Sequence, residues 1–412
     1  MTQLTITRLG HHGDGVAEGP VFVPRTLPGE VVEGEVEAGR MAAPRILTPA
    51  PERIRPPCPH YRVCGGCALQ HAREDYVTEW KAGVIAQALD AQGLEAPLLP
   101  PHVSPLAARR RATFAGRRVK SGALVGFHAK ASEVITAVPD CLILHPDLRA
   151  ALPLLEEVTA HCASRKTSLR LALTRSEAGL DLAIAGGKPL DGPLRALLGR
   201  WAGQAQLVRL AYEGEVIAQA VPPWHQMGRA RVTPPPAAFL QATREAEAAM
   251  QAATSAATMG ATRIVDLFAG CGTFTLPLAE AAEVHAVEGD AAMLRALDQG
   301  WRHATGLKRV THEARDLFRR PLLPEELNRF DAAIIDPPRA GAEAQAEALA
   351  QSAIPRIAAL SCNPVTFARD AKRLSEGGFR LEWVQLIDQF RFSPHVELAA
   401  LFSRAHIAPH GS

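Results

Sequence analysis

The chain has 412 residues, 47% hydrophobic and 21% charged, with a formal net charge of +2. That composition is ordinary for a soluble globular protein, and the length predicts two or three domains. No apolar run reaches the roughly 18 residues that a membrane span needs, and Met1–Arg8 lacks the basic head and apolar stretch of a signal peptide.

Residues 1–52 read as a small β module. Leu4–Leu9 is a strand, His12-Gly13-Asp14-Gly15 a turn, and Val21–Pro24 a second strand. Leu27-Pro28-Gly29-Glu30 turns into a third, Val31–Val36. Five prolines between Pro49 and Pro59 make a stiff linker. Residues 53–235 read as a central α+β domain. A helix is placed near Asp75–Gln92, and short strands at Arg111–Val119, Leu124–His128 and Glu133–Val138. A helix near Leu148–Cys162 follows. Two strand pairs come next, Ser168–Arg175 with Leu180–Ala185, and Gln206–Tyr212 with Glu215–Ala220. No acid lies between Glu95 and Glu133, where Arg109, Arg110, Arg111, Arg117, Arg118, Lys120 and Lys130 cluster. In residues 236–412 a helix over Gln241–Thr258 leads into alternating strands and helices. The strands are Ile264–Phe268, Val284–Glu288, Val310–His312, Phe330–Ile335 and Ile357–Ser361. That alternation predicts a parallel, doubly wound sheet. Leu381–Ile387 and Val396–Phe402 have no helix between them and should close it as an antiparallel hairpin, an arrangement that resembles the class I methyltransferase fold.

Seven cysteines without a secretory signal point to a reducing, cytoplasmic setting and to metal or catalytic use. Cys58-x5-Cys64-x2-Cys67 puts three thiols on one loop, and Cys141 supplies a fourth after a long gap. Four cysteines suit zinc or an iron–sulfur cluster, and three clustered with one distant look more like a [4Fe–4S] site. Cys162 and Cys271 read as small apolar fillers.

The remaining motifs sit at strand ends. Asp266–Gly272 is a glycine loop that turns tightly from strand to helix and lets a ligand approach the backbone. Glu288 ends the next strand, where a carboxylate can accept from two ribose hydroxyls. Asp316 ends the third and suits either an adenine amino group or a helix cap. Phe268 and Thr273 are lesser candidates for lining the cofactor pocket. Asp336-Pro337-Pro338 forms a rigid lip without N–H donors, followed by Arg339 where amino methyltransferases typically place an aromatic residue. Cys362, in Leu360-Ser361-Cys362-Asn363-Pro364, decides the chemistry. Carbon 5 of a pyrimidine is a poor nucleophile until a thiolate adds at carbon 6. A base must then remove the carbon-5 proton, and Glu397 is the candidate, with His395 positioning it or capping the loop.

These residues resemble those of the bacterial RNA uracil-5-methyltransferases, which make 5-methyluridine with S-adenosylmethionine. The resemblance spans nearly the whole chain. It implies an α/β fold in three parts: an N-terminal OB-like TRAM β-barrel, a central α+β iron–sulfur domain and a class I (Rossmann-like) methyltransferase domain. It implies [4Fe–4S] ligands at Cys58, Cys64, Cys67 and Cys141, cofactor contacts at Gln241, Phe268, Glu288 and Asp336, the nucleophile at Cys362 and the base at Glu397. Thr273 stands where many members carry Asn. A TRAM module together with a cluster favours 23S ribosomal RNA over transfer RNA as the partner, with no membrane and a monomeric chain. Two rivals stand beside this reading. A cytosine methyltransferase would also use a cysteine, and a silent RNA-binding assembly factor would show damage at the nucleophile or base.

Overall fold

The computed structural model describes residues 1–164 and 167–404. Five strands open the chain: β1 (Thr2–Leu9), β2 (Gly15–Ala17), β3 (Val21–Val23), β4 (Val31–Gly34) and β5 (Arg45–Thr48). They pair antiparallel in the order β3-β2-β1-β4-β5. Ile6, Val23 and Val32 turn one way and close over Met41, as period-2 alternation requires. The turn between β1 and β2 is pressed against the cysteine loop. Gly13 has φ +74°, and a Cβ there would lie 3.3 Å from Ala68 and Leu69. Beside it, Asp14 accepts from Lys130 at 2.6 Å, tying this sheet to the central one.

The central segment contains α1 (Glu74–Asp90), β6 (Leu98–Val103), β7 (Arg111–Val119), β8 (Gly122–His128), β9 (Ile135–Thr136), α2 (Pro146–Ala150), α3 (Leu152–Cys162), β10 (Leu169–Arg175), β11 (Leu180–Ala185), α4 (Gly192–Gln204), β12 (Arg209–Tyr212) and β13 (Glu215–Gln219). Seven of its strands form a sheet ordered β13-β12-β11-β10-β7-β8-β9, with Leu155, Val158, Leu198 and Trp201 packed into its core. The single helix expected over Leu148–Cys162 is two, because Pro153 lies in the first turn of α3 and cannot continue α2.

The rest of the chain contains β14 (His225–Met227), β15 (Ala230–Val232), α5 (Arg244–Ala257), β16 (Arg263–Leu267), α6 (Thr275–Leu278), β17 (Glu283–Glu288), α7 (Ala291–His303), β18 (Val310–Ala314), α8 (Pro324–Leu327), β19 (Ala332–Ile335), α9 (Glu343–Gln351), β20 (Arg356–Ser361), α10 (Pro364–Glu376), β21 (Arg380–Asp388) and β22 (Leu398–Ser403). Its sheet runs β18-β17-β16-β19-β20-β22-β21-β6. β16 to β20 are parallel, and β22 lies antiparallel between β20 and β21. The expected closing hairpin is therefore present.

One feature differs from the expected boundaries. The edge strand β6 pairs parallel with β21, and Ile85 and Leu89 of α1 join the core of the same sheet. Part of the segment assigned to the central domain thus belongs structurally to the C-terminal sheet. β6 reads Leu-Leu-Pro-Pro-His-Val, without alternation, and its two prolines suit an edge where no further strand pairs. The join is fixed by a buried ion pair. Lys81 of α1 donates to Asp388 at 2.7 Å and to the Phe390 carbonyl at 3.1 Å. Removing either partner would strand a buried charge, a loss of about 3–5 kcal/mol.

Candidate active site

The loops at the carboxyl ends of the parallel strands open into one cavity of about 1550 Å³. Cys58, Cys64, Cys67, Cys141, Gln241, Phe268, Thr273, Glu288, Asp316, Asp336, Cys362 and Glu397 all line it. It exceeds the roughly 300–1,000 Å³ typical of a small-molecule site, leaving room for a cofactor and a second group.

On one wall the glycine loop leaves β16. Phe268 takes φ +64°, a conformation disfavoured for a bulky residue, and Gly270 and Gly272 follow at +56° and +96°. Phe268 is held there by its N–H to the Val287 carbonyl at 2.9 Å and packs on Phe318 with centroids 5.4 Å apart. Glu288 accepts from the Gly270 N–H at 2.9 Å and, through its other oxygen, from the Asp290 N–H at 2.8 Å. Its carboxylate is thus fixed at the loop before any ligand arrives. Asp316 accepts from the Phe318 N–H at 3.0 Å, so it caps a turn while also lining the cavity. Thr273 contributes its carbonyl to Gln251 at 2.9 Å. Beneath the loop, Asp266 is fully buried, bonded by Thr275 on one oxygen and, among the described residues, without a hydrogen-bond partner on the other. Burial pushes its carboxyl up to about 7.

The loops after β19 and β20, with the residue before β22, carry the reactive groups. Cys362 follows β20 directly, and Asn363 caps α10 by accepting from the Val365 N–H at 3.1 Å. The Asn363 amide also donates to the Arg339 carbonyl at 3.0 Å, fastening the cysteine loop to the Asp-Pro-Pro-Arg lip. Burial raises the Cys362 thiol, and the nearby carboxyls of Glu397 and Asp336 raise it further, against Arg339. Asp336 is pushed up to about 7 by burial. Glu397, just before β22, is buried and pushed up to about 8, first by burial and then by Asp336 and Asp388, against a hydrogen bond from Gln389. A carboxyl poised there can accept a proton near neutral pH.

Two further contacts hold these groups. His395 accepts from Arg339 at 3.0 Å, so it holds the lip. Glu397 is held by Gln389, which sequence reading missed. Gln389 carries no motif, and its role follows from β21 ending beside β22. The acid-free basic stretch is also less open than its composition implies. Arg110 is buried against Glu247, Arg109 lies over the Phe390 ring at 5.7 Å, Arg111 donates to the Leu240 carbonyl at 3.0 Å, and Lys130 is paired with Asp14. Arg118 and Lys120 remain exposed.

The four cysteines of the spaced motif are free thiols on the cavity wall. Burial pushes Cys67 up to about 12, with Cys141, Cys64 and Cys58 raising it further, so the four lie within electrostatic reach of one another. Among the described residues no three metal-ligating side chains converge on one metal-ion position. No helix among the described residues is long and apolar enough to cross a membrane.

Residues 303–405 match the family model described as tRNA (Uracil-5-)-methyltransferase. The chain is 44% identical to an RNA methyltransferase of Brucella suis biovar 1, over 98% of each. It is 33% identical to the 23S rRNA (uracil(1939)-C(5))-methyltransferase of Chromohalobacter salexigens, over 97% of this chain and 89% of that one. A tRNA (uracil-54, C5)-methyltransferase of Pyrococcus abyssi, solved with S-adenosyl-L-homocysteine, shares the fold at a TM-score of 0.78, covering 97% and 99%, with 22% identity. The chain belongs to the S-adenosylmethionine-dependent RNA (uracil-5-)-methyltransferase family.

Proposed function

We propose that the chain methylates carbon 5 of a uridine in RNA through a covalent Cys362–uracil adduct that Glu397 resolves. The observation that carries this is the convergence of one thiol, one buried carboxyl poised near neutral pH and the glycine loop on a single cavity. S-adenosylmethionine fits the glycine-loop wall, where Phe268, Thr273, Glu288 and Asp316 would hold its nucleoside and Gln241 and Asp336 its methyl-bearing end. Bound there, it supplies the methyl group and a positive charge that favours ionised Cys362. The Cys362 sulfur adds at carbon 6 of the ring, which makes carbon 5 nucleophilic. Glu397 then takes the carbon-5 proton, the ring double bond re-forms, and the carbon–sulfur bond breaks to return the thiolate.

The substrate is a uridine in 23S ribosomal RNA. The ribosomal enzyme of Chromohalobacter supports this, matching nearly the whole chain at 33% identity. Carbon-5 chemistry needs the base out of its stack, so a loop or single strand suits the cavity. Residues 1–52 act as a TRAM-like RNA-binding module and 236–412, completed by α1 and β6, as the catalytic domain, with the rest of 53–235 as the central domain. Mapping 5-methyluridine in ribosomal and transfer RNA of a deletion strain tests the assignment. Loss from 23S ribosomal RNA is expected, and loss confined to transfer RNA would replace the substrate while leaving the chemistry intact.

Cys58, Cys64, Cys67 and Cys141 would hold a [4Fe–4S] cluster. The spacing, three thiols on one loop and a fourth distant in sequence, with all four lining the same cavity, supports this reading. Protein purified without oxygen is expected to be brown, with iron and sulfide near about four each per chain. One zinc and no sulfide would overturn the cluster.

A further inference from the structure

We infer that Gln389 is the positioning residue that selects which oxygen of Glu397 receives the carbon-5 proton. Gln389 is buried at the end of β21, one residue past the Asp388 that Lys81 anchors. Its amide oxygen accepts the Ala242 N–H at 2.6 Å, which fixes the amide's orientation, since a flipped amide would set two donors face to face. Both hydrogens of its nitrogen are then committed. One goes to Gln241 Oε1 at 2.7 Å, the other to Glu397 Oε2.

Two consequences follow. Glu397 Oε2 is held as an acceptor, and Oε1 has no donor among the described residues. A proton leaving carbon 5 therefore settles on Oε1, while the electron pair of the broken C–H bond forms the ring double bond and the carbon–sulfur pair returns to Cys362. The second consequence concerns basicity. Apart from Gln389, burial and the charges facing Glu397 oppose its ionisation: Asp336 from the loop after β19, Cys362 from the loop after β20, and Asp388 on β21, the last paired with Lys81 of α1. The Gln389 N–H is the group that favours the carboxylate. The same amide bonds Gln241 through its oxygen and so leaves the Gln241 nitrogen to the cavity.

This inference rests on Glu397 being the base. The test follows decay of the methylated covalent complex against pH, using full-length protein and unmodified ribosomal RNA from the deletion strain. In Gln389→Met, which cannot donate, the complex is expected to form as before. Its decay should be about tenfold or more slower at pH 7, with the acid limb moved up by about one unit or more and the rates converging with wild type at high pH. Equal slowing at every pH, with the limb unmoved, would show a merely structural role and overturn the inference. If Gln389→Met fails to bind S-adenosylmethionine, Gln389→Leu carries the same test, since it keeps much of the volume, cannot donate and does not titrate. Glu397→Gln separates the two readings. If it accumulates the complex while the Gln389 limb stays in place, only the positioning role falls. If it turns over normally, the base assignment falls.

Discussion

Cys362→Ala is expected to abolish methylation, by about 10⁴-fold or more, while S-adenosylmethionine still binds. The sulfur acts on the uracil ring, and the glycine loop after β16 lies two strands away in the sheet from β20, which Cys362 follows. The loop's supports, Glu288 bonded by Gly270 and Asp290 and Phe268 bonded to Val287, do not involve residue 362. RNA carrying 5-fluorouridine should trap the wild-type protein as a denaturant-resistant complex, because fluorine cannot leave as a proton does. Of the cavity thiols outside the four-cysteine motif, Cys271 is the competitor. It is 1% exposed and burial pushes it up to about 12, which leaves almost no thiolate. Adduct formation by Cys362→Ala would show that the nucleophile lies elsewhere, and Cys271→Ala would then be the variant to examine.

The parallel sheet and the candidate residues at its strand ends were legible because short apolar strands are followed there by loops rich in glycine and proline. Asp336 and Cys362 directly follow β19 and β20, so locating the strand located the residue. Glu288 and Glu397 were reached by the same route. The parts that could not be read are contacts made across long sequence separations. Lys81 meets Asp388 across 307 residues, and nothing near either marks the pair. β6 carries no alternation and becomes a strand only because β21 offers it an edge. Gln389 looked like a polar residue at a strand end. Its meaning comes from Ala242, Gln241 and Glu397 arriving around it from two other segments. The basic cluster shows the converse error. Composition placed seven cations in one acid-free stretch, but Arg110 and Lys130 find their acids in distant parts of the chain.

Glu397→Gln should fail at a different step from Cys362→Ala. Addition of Cys362 and transfer of the methyl group need no base at carbon 5, so the variant is expected to accumulate a covalent RNA complex that already carries the methyl group. Release should slow by about 10²–10⁴-fold, the range that general-base catalysis supplies. Mass spectrometry of the trapped nucleotide, showing ring, methyl group and cysteine peptide together, identifies that state. The pH dependence has a definite sign. Glu397 is pushed up to about 8, and only its carboxylate can take the proton, so wild-type release should quicken as pH rises toward 8 and fall about tenfold per unit below it. Glutamine cannot titrate, so the trapped complex should decay without that limb. A Glu397→Gln protein that forms no adduct at all would instead assign the residue to binding the ring or to holding Gln389 and Gln241 in register.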